Sequence, residues 1–267
     1  MSEDVGRRPS TVAETASANR AWWDQEAADY YVEHGAFLGD ADFVWGPEGW
    51  TEAELDILGV RPEHRVLEIG GGAGQCARWL RRTVGCTVVS TDLSIGMLRT
   101  GAAIDAGVTP AHRVPLAQCD ALALPFGEGT FDRVFTAYGA VPFVADSATL
   151  VREAARVLRP GGVFAYSTSH PIRWAFPDDP SDGGLTVRQS YFDPTPYVEM
   201  DGSGRATYVE HHRTLEQRVR DLVDAGLSVT SLRELPWPER NSTVWGGWSP
   251  QRGRLIPGTL LVSAAKR

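Results

Sequence analysis

Residues Val66-Leu67-Glu68-Ile69-Gly70-Gly71-Gly72-Ala73-Gly74 run from a short apolar stretch into a glycine-rich loop. Glycines between a strand and a helix let the backbone approach a ligand and adopt positive φ. The first N–H groups of the following helix then point at an anion. Glu68, directly before the loop, adds a carboxylate that attracts an amino group. Asp92 and Asp120 each end a further apolar run. In an open α/β sheet such strand ends face one crevice, so the three acids converge on it. Taken one at a time, each acid has a competing reading as a helix cap or turn former.

Two ligand classes suit a glycine loop of this kind. Gly72-x-Gly74-x-x-Ala77, with Asp92 eighteen positions after Gly74, fits a dinucleotide fingerprint. Glu68 argues against it, because a carboxylate there would repel a pyrophosphate. S-adenosylmethionine suits the charges better. Its amino group would meet Glu68 and its carboxylate the helix N-terminus. Asp92 would accept from the ribose hydroxyls and Asp120 from the adenine amino group, and acids suit a sulfonium cation.

Eight of the nine tryptophans lie outside residues 57–169: Trp22, Trp23, Trp45, Trp50, Trp174, Trp237, Trp245 and Trp248. If the flanks cover the crevice, they build an aromatic-walled pocket for a small acceptor. Trp22, Phe143, Trp174 and Trp245 are its candidate wall, with Tyr138 shared between cofactor and acceptor. Core packing is the competing reading for each. Methyl transfer needs a general base only for a hydroxyl or a protonated amine. His170, directly after a strand, is the first candidate, and a structural histidine in the Ser-His-Pro turn is the alternative. His211 is the second. It and His212 alternate along a strand, so at most one faces inward. His34 ranks below both.

The elements that must position these residues alternate. Residues 18–34 have helical spacing, and Glu52–Leu58 reads as a short helix. Strands are expected at His64–Ile69, Thr87–Thr91, Val114–Cys119, Thr130–Thr136 and Val163–Thr168, with helices at Gln75–Arg82, Ser94–Ala106 and Ala148–Leu158. Alternation of this kind predicts a parallel sheet covered on both faces. Thr186–Phe192 and Ala206–His211 read as two β runs around the turn Asp201–Gly204. Thr214–Ala225 returns to helical spacing, before strands at Leu227–Leu232 and Leu260–Ala265. The expected organisation is a disordered tail over 1–17 and one domain over 18–267. Within that domain, 18–56 is a helical arm, 57–168 the cofactor core, 169–213 a substrate cap and 214–267 the rest of the sheet.

The chain has 267 residues, 42% of them hydrophobic, and a formal charge of −8. That charge argues against a nucleic-acid partner, which needs a basic footprint. Cys76, Cys86 and Cys119 form no CxxC and sit in or beside apolar stretches. Buried, reduced thiols and a cytoplasmic location are expected. No apolar run approaches the ~20 residues of a membrane span, and the N-terminal segment does not read as a secretory signal.

The ordered set of motifs resembles the class I S-adenosylmethionine-dependent methyltransferases, in their small-molecule branch. Glu68-x-Gly70-x-Gly72-x-Gly74 matches the first motif, Asp92 the second and Cys119-Asp120-Ala121 the third. Phe131-Asp132 opens the fourth strand, and Val157-Leu158-Arg159-Pro160-Gly161-Gly162 turns into the fifth. The resemblance implies a Rossmann-like, doubly wound sheet of seven strands with the last strand antiparallel. It implies S-adenosylmethionine as cofactor, held by Tyr30, Glu68, Gly70, Gly72, Gly74, Gln75, Asp92, Leu93, Met97, Asp120, Ala121, Leu122, Ala137 and Tyr138. No catalytic metal is expected, because the ends of strands four and five read Thr136-Ala137-Tyr138 and Ser167-Thr168-Ser169, without a carboxylate. The Asn/Asp-Pro-Pro-Tyr motif of amino-methylating enzymes is replaced by Ala137-Tyr138-Gly139-Ala140. The expected function is metal-independent methylation of a small molecule, of the kind met in secondary metabolism. A nicotinamide-dependent oxidoreductase and a non-catalytic S-adenosylmethionine binder are the alternatives.

Overall fold

The computed structural model describes residues 4–267. In chain order the elements begin with β1 (Asp4–Arg7), α1 (Val12–Leu38), α2 (Glu52–Leu55), β2 (Arg65–Ile69), α3 (Gln75–Trp79), β3 (Thr87–Asp92) and α4 (Ile95–Ala106). They continue with β4 (Leu116–Gln118), β5 (Phe131–Ala137), α5 (Ser147–Val157), β6 (Leu158–Ser169), β7 (Tyr197–Met200) and β8 (Ala206–Glu210). The last are α6 (Leu215–Asp224), β9 (Leu227–Glu234), α7 (Pro250–Gly253) and β10 (Thr259–Lys266).

Seven strands form one sheet in the order β4-β3-β2-β5-β6-β10-β9. The first five run parallel, and β10 lies antiparallel between β6 and β9. The seven-stranded Rossmann-like fold with an antiparallel last strand is therefore as expected. Side-chain alternation feeds two cores, one on each face. Leu67, Ile69, Val134, Phe164 and Val262 pack one face; Val66, Val88, Phe135, Ala165 and Leu261 pack the other. The chain leaves β2 toward β3 on one side and returns to β5 on the other. The crevice at this switch, outside the carboxyl ends of β2 and β5, is where ligands bind in such sheets.

The expected tail over 1–17 is corrected from residue 4 onward. Thr11 caps α1 by accepting from the Glu14 N–H at 3.1 Å, so the helix begins at Val12, well before residue 18. Arg8 pairs with Glu14, and β1 pairs antiparallel with β7. Residues 1–3 of that expectation lie outside the described residues. The helix also continues past residue 34 to Leu38, ending at Gly39 with φ +66°.

The hairpin of the cap is corrected too. Thr186–Phe192 is not a strand, because the N–H groups of Arg188 and Gln189 bond the carbonyl of Ala175. The first strand is Tyr197–Met200, and β8 runs beside it. With β1 these strands form a separate three-stranded sheet against α1. Elsewhere the boundaries move by a few residues. After α3 the helix continues as a π turn over Leu80–Val84, and β6 carries Pro160-Gly161-Gly162 within its first half. Among the described residues no helix is long and apolar enough to cross a membrane.

Candidate active site

The glycine loop leaves β2 and is tied to the next strand. The Gly71 N–H donates to the Thr91 carbonyl at 3.0 Å, and the Thr91 hydroxyl donates to the Glu68 carbonyl at 2.8 Å. Gly70 has φ +63°, and a Cβ there would lie 2.9 Å from Ala140 N. Gly72 has φ +55°, and its Cβ would lie 2.8 Å from Met97 Cε. Neither position accepts a side chain without strain, so the loop backbone stays bare toward the crevice.

Three acids face that backbone. Asp92 accepts from the N–H groups of Gly72 and Ser94, each at 2.8 Å, one per oxygen. Asp120 accepts from the Leu122 N–H at 2.8 Å through one oxygen. A carboxylate oxygen has two lone pairs, so these bonds fix the acids and leave acceptor capacity. Glu68 is 1% exposed and lines the cavity, with the Ser90 hydroxyl beside its carboxylate. Burial pushes its pKa up to about 7, against a hydrogen bond with the Ser90 side chain and the pull of Arg78. Burial raises Asp92 as well, opposed by the bonds from Ser94 and Gly72.

A cavity of about 500 Å³ opens from this cradle, within the range of small-molecule sites. Its walls come from α1, β8 and the turn after β5. Trp22 meets Trp23 edge-on at 4.6 Å and Tyr208 at 5.0 Å, and Trp23 meets Phe143 at 5.7 Å. At another wall His34 stacks on Trp245, with centroids 4.2 Å apart and planes 13° from parallel. Tyr138 carries φ +60°, unusual for a residue with a side chain. Its N–H donates to Ser167 Oγ at 2.9 Å, and its hydroxyl lies 3.0 Å from Ser169 Oγ.

The arm closes the cofactor end. Asp24 on α1 accepts from the Ser94 hydroxyl at 2.7 Å and the Gly96 N–H at 2.9 Å, directly after Asp92. A Cβ at Gly96 would lie 2.6 Å from the Asp24 carbonyl oxygen, so the two helices meet backbone to backbone. Buried Asn19 clamps the other side of α1. It donates to the carbonyls of Phe143 and Val209 and accepts from the Val209 N–H, all within 2.8–2.9 Å.

Most of the expected cofactor residues line the cavity: Tyr30, Glu68, Gly70, Gly72, Gln75, Asp92, Leu93, Met97, Asp120, Ala121, Ala137 and Tyr138. Gly74 and Leu122 do not. Gly74 caps α3 with φ +78°, and Leu122 packs on the core while its N–H holds Asp120. Of the expected acceptor residues, Trp22, Tyr138, Phe143 and Trp245 line the cavity. Trp174 is buried elsewhere, beneath the guanidinium groups of Arg7 and Arg173.

The histidine expectations are corrected. His170 does not line the cavity. Its Nδ1 accepts from the Ile172 N–H at 3.1 Å, and its Nε2 lies 3.0 Å from Glu234 on β9. It caps the turn after β6, and burial lowers its pKa. His211 is also buried away from the cavity, with Nε2 3.0 Å from Thr15 Oγ1 on α1. His212 bonds the Tyr191 carbonyl. Burial lowers both to about 4, so both rings are neutral near pH 7. The sequence reading left out Arg173, Asp178, Tyr208 and Glu210, which do line the cavity. Alternation along β8, which sends Tyr208 and Glu210 to one side and Val209 to the other, is the signal that carries the last two.

A methyltransferase-domain family model matches residues 67–166. A ubiquinone/menaquinone biosynthesis C-methyltransferase of Cellvibrio japonicus is 37% identical over 128 residues, covering 45% of this chain and 50% of that protein. Methyltransferase GfsG of Streptomyces halstedii is 36% identical over 144 residues, covering 54% and 47%. The chain thus spans about half the length of the curated relatives it matches. Among solved structures, an S-adenosylmethionine-dependent methyltransferase from Mesorhizobium loti is 27% identical, with TM-score 0.64, covering 83% of this chain and all of that one. A dinucleotide enzyme has no need of an acid before the loop, whereas Glu68 stands there buried and facing the cradle. Residues 67–166 thus carry a methyltransferase domain, and by its sheet, its glycine cradle with three strand-end acids, and these likenesses, the chain is similar to the class I S-adenosylmethionine-dependent methyltransferases.

Proposed function

We propose that the protein transfers a methyl group from S-adenosylmethionine to a small-molecule acceptor, without a metal ion. The observation that carries this is one cavity with the three acids and bare glycine backbone at one end and aromatic walls beside them. The residues fit the cofactor. Glu68 is a buried carboxylate on the cavity wall, which suits an amino group. Asp92 is held by Gly72 and Ser94 with acceptor capacity left for ribose hydroxyls, and Asp120 keeps one oxygen free of backbone bonds. The bound cofactor would supply a methyl group already activated on a sulfonium.

The chain's own contribution is alignment and exclusion of water. Trp22, Trp23 and Phe143 give an apolar wall that displaces water, and α1 closes over the cofactor end through Asp24. Arg173 is the one arginine or lysine among the described cavity residues. With the net charge of −8, this supports a small molecule over a nucleic acid. The acids at the cofactor end are each held by separate backbone groups or enclosed singly, and among the described residues no group of three His, Cys, Asp or Glu side chains could hold a metal ion; both support the metal-free reading.

The test has two steps. Calorimetry compares S-adenosylhomocysteine with NADH, and only the first should bind. Methyl-deuterated S-adenosylmethionine is then incubated with the protein and a small-molecule extract of the source cells, and the label is followed by mass spectrometry. A labelled low-mass product, formed equally with a chelator present, supports the proposal. Label appearing only in the nucleic acid or protein of a whole-cell extract run in parallel, or loss of transfer with chelator, overturns it.

A further inference from the structure

The cavity has a polar end that the cofactor residues do not account for. Arg173, from the turn after β6, stands between two carboxylates. Its Nη1 is 3.8 Å from Glu210 on β8, and its Nη2 is 3.3 Å from Asp178. Both are ion pairs longer than the ~2.7–2.9 Å of a charge-assisted hydrogen bond, so the guanidinium keeps donor capacity and the carboxylates keep acceptor capacity toward the cavity. Burial works against the guanidinium charge, but Glu210 and Asp178 outweigh it and raise its pKa. The second oxygen of Glu210 accepts the Tyr208 hydroxyl at 2.5 Å. The Tyr138 hydroxyl, paired with Ser169, lies near enough to be influenced by both Arg173 and Glu210.

The donor and acceptor capacity that these two ion pairs turn to the cavity selects the ligand group. A carboxylate only accepts, and it would meet two acids for one cation. An ammonium only donates, and it would sit against the guanidinium. A hydroxyl accepts from the guanidinium and donates to the carboxylate at once. Two such ion pairs share a single guanidinium, which suits two neighbouring hydroxyls on one ring, each bridging one pair from the cavity side. Trp22 and Tyr208 supply aromatic surface beside them for the apolar face of that ring.

We propose that Arg173, Glu210 and Asp178 form an acceptor subsite for a polyhydroxylated ring, a sugar or cyclitol portion of a small molecule. The subsite deepens the methyl-transfer reading and rests on it. The experiment uses the full chain saturated with S-adenosylhomocysteine and three probes of matched size: phenyl β-glucoside, phenethylamine and phenylacetate. Binding is read by calorimetry or saturation-transfer NMR. The glucoside should bind about tenfold more tightly than either ionic probe. Glu210→Gln should weaken the glucoside by about tenfold, with S-adenosylhomocysteine affinity unchanged. Asp178→Asn, at a half-exposed loop position where folding is not at risk, should do the same. Phenethylamine or phenylacetate binding best, no glucoside binding to protein that holds S-adenosylhomocysteine, or glucoside binding indifferent to both variants overturns the subsite alone. Failure of S-adenosylhomocysteine itself to bind overturns the methyl-transfer reading, and the subsite with it.

Discussion

Glu68 is buried at the cavity wall, and burial pushes its pKa up to about 7. A ligand amino group beside it favours the charged carboxylate, so binding should release a proton. The sign follows from linkage: affinity for S-adenosylhomocysteine rises as pH rises from 6 to 8, by about tenfold, and Glu68→Gln flattens the rise. Calorimetry in two buffers of different ionisation heat reads the released proton directly. An affinity independent of pH would mean that Glu68 is already charged in the free protein. Residues like this one are legible in sequence because the loop that places them is local: Glu68, Gly70 and Gly72 lie within five positions, and Asp92 ends the neighbouring strand. His170 was not legible, because what decides its role is Glu234, brought beside it by the β6-β10-β9 order. The same holds for Arg173, whose partner Glu210 arrives on the cap hairpin.

At the scale of elements, α1 carries the largest departure from the sequence reading. Its start depends on a capping threonine and an Arg8–Glu14 pair, both plain in the sequence only once β1 is known to anchor the segment. β1 itself spans four residues and contains a glycine, too short for a periodic signal. The core strands were legible because their apolar runs alternate with helices, and β2, β3 and β4 lead into Gly70, Asp92 and Asp120. The cap strand β7 was not, since a run of β-formers at Thr186–Phe192 outweighed the shorter one beyond Pro194 and Pro196. The docking of α1 turns on Asp24, which serves the N-terminal turn of α4 from outside that helix. Asp24→Ala should cost about 1–2 kcal/mol of arm docking. Hydrogen exchange reads it: amides of α1 near Trp23–Tyr30 should exchange roughly tenfold faster, while β2 and β5 amides hold. Exchange in α1 equal to the wild type would mean that Asn19 and the β1–β7 pairing alone hold the arm.

Across the whole molecule, buried ionisable groups pull stability in opposite directions with pH. His211 and His212 have folded pKa values near 4, below the ordinary histidine value. The unfolded chain takes up their protons first, so their contribution is lost as pH falls from 6.5 toward 4. His34, His64 and His170 lean the same way, each lowered by burial. Glu48 and Glu68 oppose them, both raised by burial to about 7, and Glu52 is raised as well. Their contribution is complete below the unfolded carboxylate value and is lost as pH rises through 7. The two sets offset one another between pH 5 and 7, where the wild type should change little. Glu48 isolates one side of this balance. It is 1% exposed, with Oε2 accepting from the Thr259 hydroxyl at 2.5 Å and Oε1 lying against Gly258. Glu48→Gln keeps the shape of the neutral carboxyl and removes its titration. Between pH 7 and pH 5 the variant should lose about 2 kcal/mol relative to the wild type, and above pH 7 it should be the more stable of the two. Urea unfolding of the cofactor-free protein at pH 5, 7 and 8 measures this. Parallel stability curves for the two proteins would mean that Glu48 is charged in the folded state, and that the acids do not oppose the histidines.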